Sequence, residues 1–373
     1  MKKTFFLFII VLIIQGCADK KKNNQIDSSI TVSVPNNISI DSSLFWQKIS
    51  KLKENFMTLG NINSFDFVNK ERFVIAGSNP SQVILYDTTG QQINRLGSKG
   101  KGPFEYISPS IIRTNHQKVY IWCEELLKLL VFDINGKPIE QYKFTKAIKD
   151  FIIYENYAGF YAQGGGDGPI FKIYNLKTKE FIEDYGAKTN EHKILNSFKN
   201  TGGLIKCGNN AFFTPNDKLL VYKINQENFS KEKYNINDHE FKVEAVNAKP
   251  REYISQPEKA FQYFYKNDII SGLFCLNNKI ILKAQLGKIE IENFNLNRKG
   301  KVDLEMNDPS QKRHKYYVFN KEMKLEYLLQ DNIKNIRKVN DCLYASNGKY
   351  LYKIELNGDD SVYELSRTDH FIH

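Results

Sequence analysis

At 373 residues the chain is long enough for one large all-β domain or two ordinary ones. Hydrophobic residues make up 41% and aromatic residues 13%, with 26 Phe and 21 Tyr against 4 Met, which excludes a disordered chain and favours half-buried pleated strands. The net charge of +11 is spread along the sequence apart from Lys20, Lys21 and Lys22, and so describes a solvated basic surface and not a nucleic-acid groove.

The first residues, MKKTFFLFIIVLIIQGC, combine two lysines, an apolar run from Phe5 to Ile14 and a small Gly16 before Cys17. The run is short for a bilayer span and suits a secretory signal. Ile14 to Cys17 resembles the bacterial lipobox. The expected organisation is a signal peptide over 1–16, lipid attachment at Cys17, a polar disordered tether over 17–29 and one domain over 30–373. Within that domain SITVSVPNN is a strand candidate, expected to complete the last repeat. SSLFWQKISKLKENF from Ser42 places Leu44, Phe45, Ile49 and Leu52 at helical spacing, which predicts a short amphipathic helix.

Loose repeats follow. VILYDTTGQQI, LVFDINGKPI, FKIYNLKTKEFI, LLVYKINQENF, YYVFNKEMKLEY and YLYKIELNGDDSVYEL each run from an alternating strand into an Asp, Asn or Gly turn and out again, the mark of a hairpin. A second pair of strand-like runs precedes most of them, as in SIIRTNHQKVYIWC, so each unit holds four strands. Aligned on Tyr86, Phe132, Tyr174, Tyr222, Phe319 and Tyr352, the steps are 46, 42, 48, 97 and 33 residues, and a blade of a propeller takes roughly 40 to 50. The fold predicted is a six-bladed β-propeller of four-stranded antiparallel blades, with seven blades as the alternative. The long step is assigned to inserts near 245–268, where SQPEKAFQYFYKND reads as a short helix, and near 286–313, which reads as an extruded hairpin. The recurring aromatics are read as packing between blades.

Between the first two hairpins lies GSKGKGPFEY, whose glycines and lysines have the look of a phosphate cradle. Such a cradle needs a helix directly after it, and strands follow instead. Gly97, Gly100, Gly102, Pro103 and Glu105 are therefore assigned to a connector between blades, and Lys99, Lys101, Phe104 and Tyr106 are the candidate ligand contacts on that face. QGGGDGPIFK, with the lone carboxylate Asp167, reads as a turn. Cys123, Cys207, Cys275 and Cys342 lack any C-x-x-C spacing and are read as small buried hydrophobes and not as a disulfide or metal set. The six histidines are scattered, no metal or cofactor site is assigned, and no G-x-S-x-G elbow occurs.

On the residues Ile14 to Cys17, LGSKGKGPFEY and VYIWCEELLKLLVFDINGKPI, the chain resembles the six-bladed β-propeller lipoproteins of bacterial envelopes, TolB-like or NHL-repeat-like, over about residues 30–366. The resemblance implies a lipid-anchored monomer in the cell envelope, held to the membrane through Cys17. The function expected is binding or scaffolding of a protein, peptide or glycan, with no nucleic acid. The alternative is a propeller enzyme, a lyase or hydrolase working at the central channel.

Overall fold

Each aromatic hairpin folds as the outer half of a four-stranded antiparallel sheet. Blade one comprises Asn61–Phe67, Arg72–Ser78, Gln82–Asp87 and Gln92–Arg95. Blade two comprises Pro109–Asn115, Lys118–Cys123, Lys128–Asp133 and Pro138–Lys143. Blade three comprises Ile148–Tyr154, Tyr157–Ala162, Pro169–Asn175 and Glu180–Ala187. Blade four comprises Gly203–Cys207, Asn210–Thr214, Leu220–Asn225 and Lys231–Asn237. Blade five comprises Ile269–Leu276, Lys279–Leu286, Arg313–Phe319 and Leu325–Asp331. Blade six takes Ile336–Val339, Cys342–Ser346 and Tyr350–Glu355 and borrows Phe45–Lys51 as its outer strand. The computed structural model describes residues 29–33, 40–41, 45–51, 61–69, 71–87, 89–115, 118–164, 166–197, 201–276, 278–296, 302–306, 313–331, 336–339, 342–346 and 350–355. The segment expected to be a signal, Cys17 and most of the expected tether lie outside them.

Six blades, not seven, account for the chain, because the long step holds helices and a hairpin. Helices α2, Pro250–Ile254, and α3, Pro257–Lys266, fill the passage from blade four to blade five. Ile291–Leu296 and Val302–Met306 pair as the expected hairpin between the second and third strands of blade five. A further helix, α1, Asn190–Leu195, lies between blades three and four, capped by Thr189 Oγ1 accepting the His192 N–H at 3.0 Å.

Two expectations for the amino-terminal segment are corrected. Phe45–Lys51 is a strand and not a helix, paired with Tyr350–Glu355 from Phe45↔Glu355 to Lys51↔Tyr350. An open sheet edge offers a whole ladder of backbone partners, and Phe, Trp and Ile are good strand formers, so tertiary pairing overrides the helical spacing. Ser29–Ser33, expected to close the last blade, instead runs parallel to Lys231–Asn237 on the outer edge of blade four. Ile40–Asp41 then pairs with Leu328 and Leu329 of blade five. The segment thus passes along the outer edges of blades four and five before closing blade six.

The cores lie between blades. One apolar cluster joins blades one and two around Val83, Leu85, Ile121 and Phe132, and another joins blades four and five around Val221, Leu282, Tyr317 and Phe319. Tyr86, Phe132, Tyr174, Tyr222 and Phe319 are all buried, as the repeat alignment implies. Phe171, Phe213 and Tyr222 stack in series, with centroids 5.0 and 4.5 Å apart. The hairpin turns repeat one device: the residue ending the third strand, Asp87, Asp133, Asn175 or Asn225, or the one just after it, Asn320, accepts backbone N–H groups two to four residues ahead.

One sequence reading fails here outright. Cys207 and Cys275 form a disulfide, with Cα atoms 5.8 Å apart. Their separation of 68 residues conceals that both sit on the first strands of neighbouring blades. Cys123 is a buried free thiol, as read. A crosslink across so long a loop removes chain entropy worth about 4 kcal/mol from the unfolded state. We therefore expect Cys207→Ser to lower the melting temperature by several degrees, and dithiothreitol to lower that of the wild type but not of the variant. Calorimetry with and without reductant checks both.

Candidate functional site

Antiparallel strands alternate ends, so every passage from an outer strand to the next inner strand leaves on one axial face, together with the loops between second and third strands. That face carries α1, α2, α3 and the inserted hairpin. The described turns of the opposite face are short, among them Tyr154 to Tyr157 and the Asp and Asn hairpins.

The ring beneath this face is tied together through the first strands. Asp66 Oδ2 of blade one accepts the Thr114 N–H at 2.7 Å, and Ser64 Oγ accepts the Ile112 N–H at 3.0 Å. Arg113 of blade two donates through Nε to Phe151 O at 3.0 Å and pairs with Asp150 of blade three. Lys149 Nζ donates to Thr201 Oγ1 at 3.1 Å at the entry to blade four, and Gly202 N–H donates to Ile270 O of blade five at 2.6 Å.

The connector GSKGKGPFEY proves to be a knot around an internal anion. Gly102 N–H donates to Glu105 Oε2 at 2.6 Å, and a Cβ on Gly102 would stand 2.9 Å from that oxygen. Gly97 adopts φ +68°, which only glycine takes without strain. Lys128 Nζ donates to the carbonyls of Lys101 and Gly102 at 3.1 and 3.0 Å. Pro103 and Lys99 and Lys101 are exposed on the axial face. Tyr106 is corrected as a ligand contact: it is fully buried, and its hydroxyl accepts the Val83 N–H at 2.9 Å. Phe104 is half-buried with its ring edge toward Phe132, 6.0 Å between centroids.

The densest polar cluster lies one passage further on, between blades three and four. Thr201 Oγ1 accepts from Lys149 and from Asn216 Nδ2 and donates to Leu195 O. Asn216 Nδ2 also reaches His192 O at 3.4 Å. His192 is wholly buried, with Nδ1 3.7 Å from Asp217 Oδ1, and Asp217 Oδ2 accepts the Thr189 hydroxyl at 2.5 Å. Among the buried side-chain atoms of the described residues that lack a hydrogen-bond partner, His192 Nε2, Asn196 Oδ1, Asn216 Oδ1 and Asp217 Oδ1 fall in this cluster.

Burial sets the charges here. Desolvation lowers the His192 imidazole below its usual value against the pull of Asp217, so it is neutral at pH 7. Desolvation works to raise Asp217, and the neighbouring His192 and the Thr189 hydroxyl outweigh it and keep the carboxylate ionised. Burial pushes Lys149 down to about 7 against the attraction of Glu124.

Above the cluster, Lys188 Nζ donates to the carbonyls of Gln163 and Gly164 at 3.3 and 3.2 Å, and Lys193 pairs with Asp167. The loop that reads in sequence as a plain turn is thus clasped by two lysines. Lys149, Lys188, Lys193 and His192 were not singled out from the sequence. The signal available was the recurrence of lysine in three successive blade passages, at Lys99 and Lys101, at Lys146, and at Lys188 and Lys193. Elsewhere on the face, α3 and the hairpin border a groove of about 680 Å³ lined by Ser255, Pro257, Lys259, Gln262 and Phe294. Among the described residues no three His, Cys, Asp or Glu side chains gather as a metal site.

Six radially arranged four-stranded sheets define a β-propeller. The profile of the DUF5128 family, a 6-bladed beta-propeller, matches residues 53–285, more than half of the chain, and the chain belongs to that family. A protein of Bacteroides fragilis NCTC 9343 described as exported has a similar structure, with TM-score 0.60 at 13% identity over 89% of this chain and 100% of that one. A DUF4221 member from Bacteroides vulgatus is similar with TM-score 0.56 at 11% identity, over 84% and 99%. At such identities the likeness is one of fold. No curated protein matches the chain.

Because the folded His192 binds its proton more weakly than the unfolded one, stability is lost as pH falls below about 6.5. His192→Gln is expected to flatten the decline in melting temperature between pH 7 and 5 relative to the wild type. Identical slopes would mean that His192 is not held neutral.

Proposed function

We propose that the protein is a lipid-anchored propeller of the bacterial envelope, acting as a monomeric binding or scaffolding module that presents its helix-bearing axial face to a protein, peptide or glycan. The observation that carries this reading is the asymmetry of the two faces: all described helices and the inserted hairpin crowd one end, over a ring whose other end has short turns. Binding residues gather on loops held by a rigid scaffold, and this face has both loops and scaffold. The lipobox-like Ile14 to Cys17, the Cys207–Cys275 disulfide and the exported relative support an oxidising location outside the cytoplasm.

Two measurements test it. Hydroxyl-radical footprinting of the full-length protein in envelope extract is expected to protect passages 96–108, 144–147 and 188–202; protection of the opposite turns, or none, overturns the reading. Cys17→Ala is expected to move the protein from the membrane to the soluble fraction. Unchanged fractionation removes the lipid anchor.

A further inference from the structure

We infer that the helix-bearing face binds an acidic saccharide through a lysine arc over three successive blade passages, and that Asp167 occupies on Lys193 the place of a ligand carboxylate. The inference rests on the binding reading above and names the ligand class.

Three successive passages from an outer strand to the next first strand bring lysines to this face: Lys99 and Lys101, then Lys146, then Lys188 and Lys193. The acids of the same passages are turned to the backbone, since Glu105 accepts the Gly102 N–H and Glu191 accepts the Val246 N–H at 2.7 Å. Lysines thus predominate in these passages, with Glu124 and Asp167 as the carboxylates that act on Lys149 and Lys193 from neighbouring loops of the same face. The lysines are close enough to feel one another: after burial, the charges of Lys146 and Lys193 lower the Lys188 ammonium further. Repeated cations along an arc match repeated anions along a chain.

The Lys193–Asp167 pair is lopsided. The lysine side chain is 12% exposed and the aspartate 94% exposed. An anion so fully in water gains little from its pair and is easily exchanged. Its loop has open space on its outer side, because a Cβ on Gly164, Gly166 or Gly168 would meet no atom within 4 Å. A ligand carboxylate reaching Lys193 with further contacts to Lys188 and Lys146 would displace it.

The arc exposes no large apolar side chain among the described residues, which favours a saccharide over a protein partner. Protein interfaces centre on buried aromatic or aliphatic anchors. Among the described residues, the exposed large apolar side chains are Ile30, Ile93, Ile139, Phe181 and Ile182 on outer strands and Ile254 on α2, none of them in these three passages. A sugar chain carrying carboxylates needs no such anchor.

The test is isothermal titration of the full-length protein in detergent with short oligogalacturonate, against a neutral maltooligosaccharide and an oligoglutamate peptide of equal length. Oligogalacturonate is expected to bind and the neutral chain not to. Lys146→Gln combined with Lys188→Gln is expected to weaken binding by about ten-fold or more, and Asp167→Asn to strengthen it by about three-fold as the competing carboxylate is lost. Equal binding of the neutral chain, tighter binding of oligoglutamate, or no gain from Asp167→Asn overturns the inference. Axial footprint protection by extract without oligogalacturonate binding refutes this inference alone. Protection of the opposite face removes the parent reading with it.

Discussion

The fold depends on how the first strands meet around the axis. Blades diverge outward, so neighbouring sheets come closest at their first strands and fill the widening gap with aromatic and aliphatic side chains. Near the axis the contact is polar. Asp66 to Thr114, Arg113 to Asp150 and Lys149 to Thr201 link blade to blade, and the Cys207–Cys275 bridge adds a covalent tie between blades four and five. Asp66 shows the cost of such a latch. Burial pushes its carboxyl up to about 6, although the Arg113 charge, the Thr114 N–H and hydroxyl and the Phe67 N–H all favour the ionised form. Acting together, these partners keep the latch charged at neutral pH, where a lone buried carboxylate would be strongly disfavoured.

A ring closed in this way leaves one axial face free to vary. The hairpins of the other face are fixed by Asp or Asn side chains satisfying the turn N–H groups, a local solution that leaves little room for insertion. On the face of the blade passages, chain length is limited only by closure entropy, which grows slowly. Helix α1 is seated through the apolar contacts of Ile194 and Leu195 with Val246 and Tyr263, so the inserted helices pack on one another and not on the blades alone.

What was legible in the sequence is what repeats. The aromatic that ends each third strand, and the Asp or Asn beside it, recur because each blade solves the same packing and turning problem. The strand Phe45–Lys51 was not legible, because its partner lies about 300 residues away and its own spacing imitates a helix. The disulfide was hidden for a related reason: the neighbour relation of first strands is a property of the ring and not of local spacing. The lysine arc lies in connectors of unequal length, so its period is visible only after the blades are aligned.

Glycine, lysine and carboxylate occur together twice on the same face, with opposite consequences. In GSKGKGPFEY the carboxylate of Glu105 is folded back onto the Gly102 N–H, a glycine is required beside it for space, and Lys128 holds the carbonyls from below. In QGGGDG the carboxylate of Asp167 stands almost wholly in water, none of Gly164, Gly166 and Gly168 is required for space, and Lys193 is the better buried partner. Both segments are glycine-rich and carry one carboxylate, so that shared feature alone cannot assign their roles. Burial can: where the anion is enclosed the segment is a connector, and where the cation is enclosed and the anion is exposed the pairing is exchangeable. That contrast moves the candidate contacts from Phe104 and Tyr106, which the fold has used, to Lys146, Lys188 and Lys193.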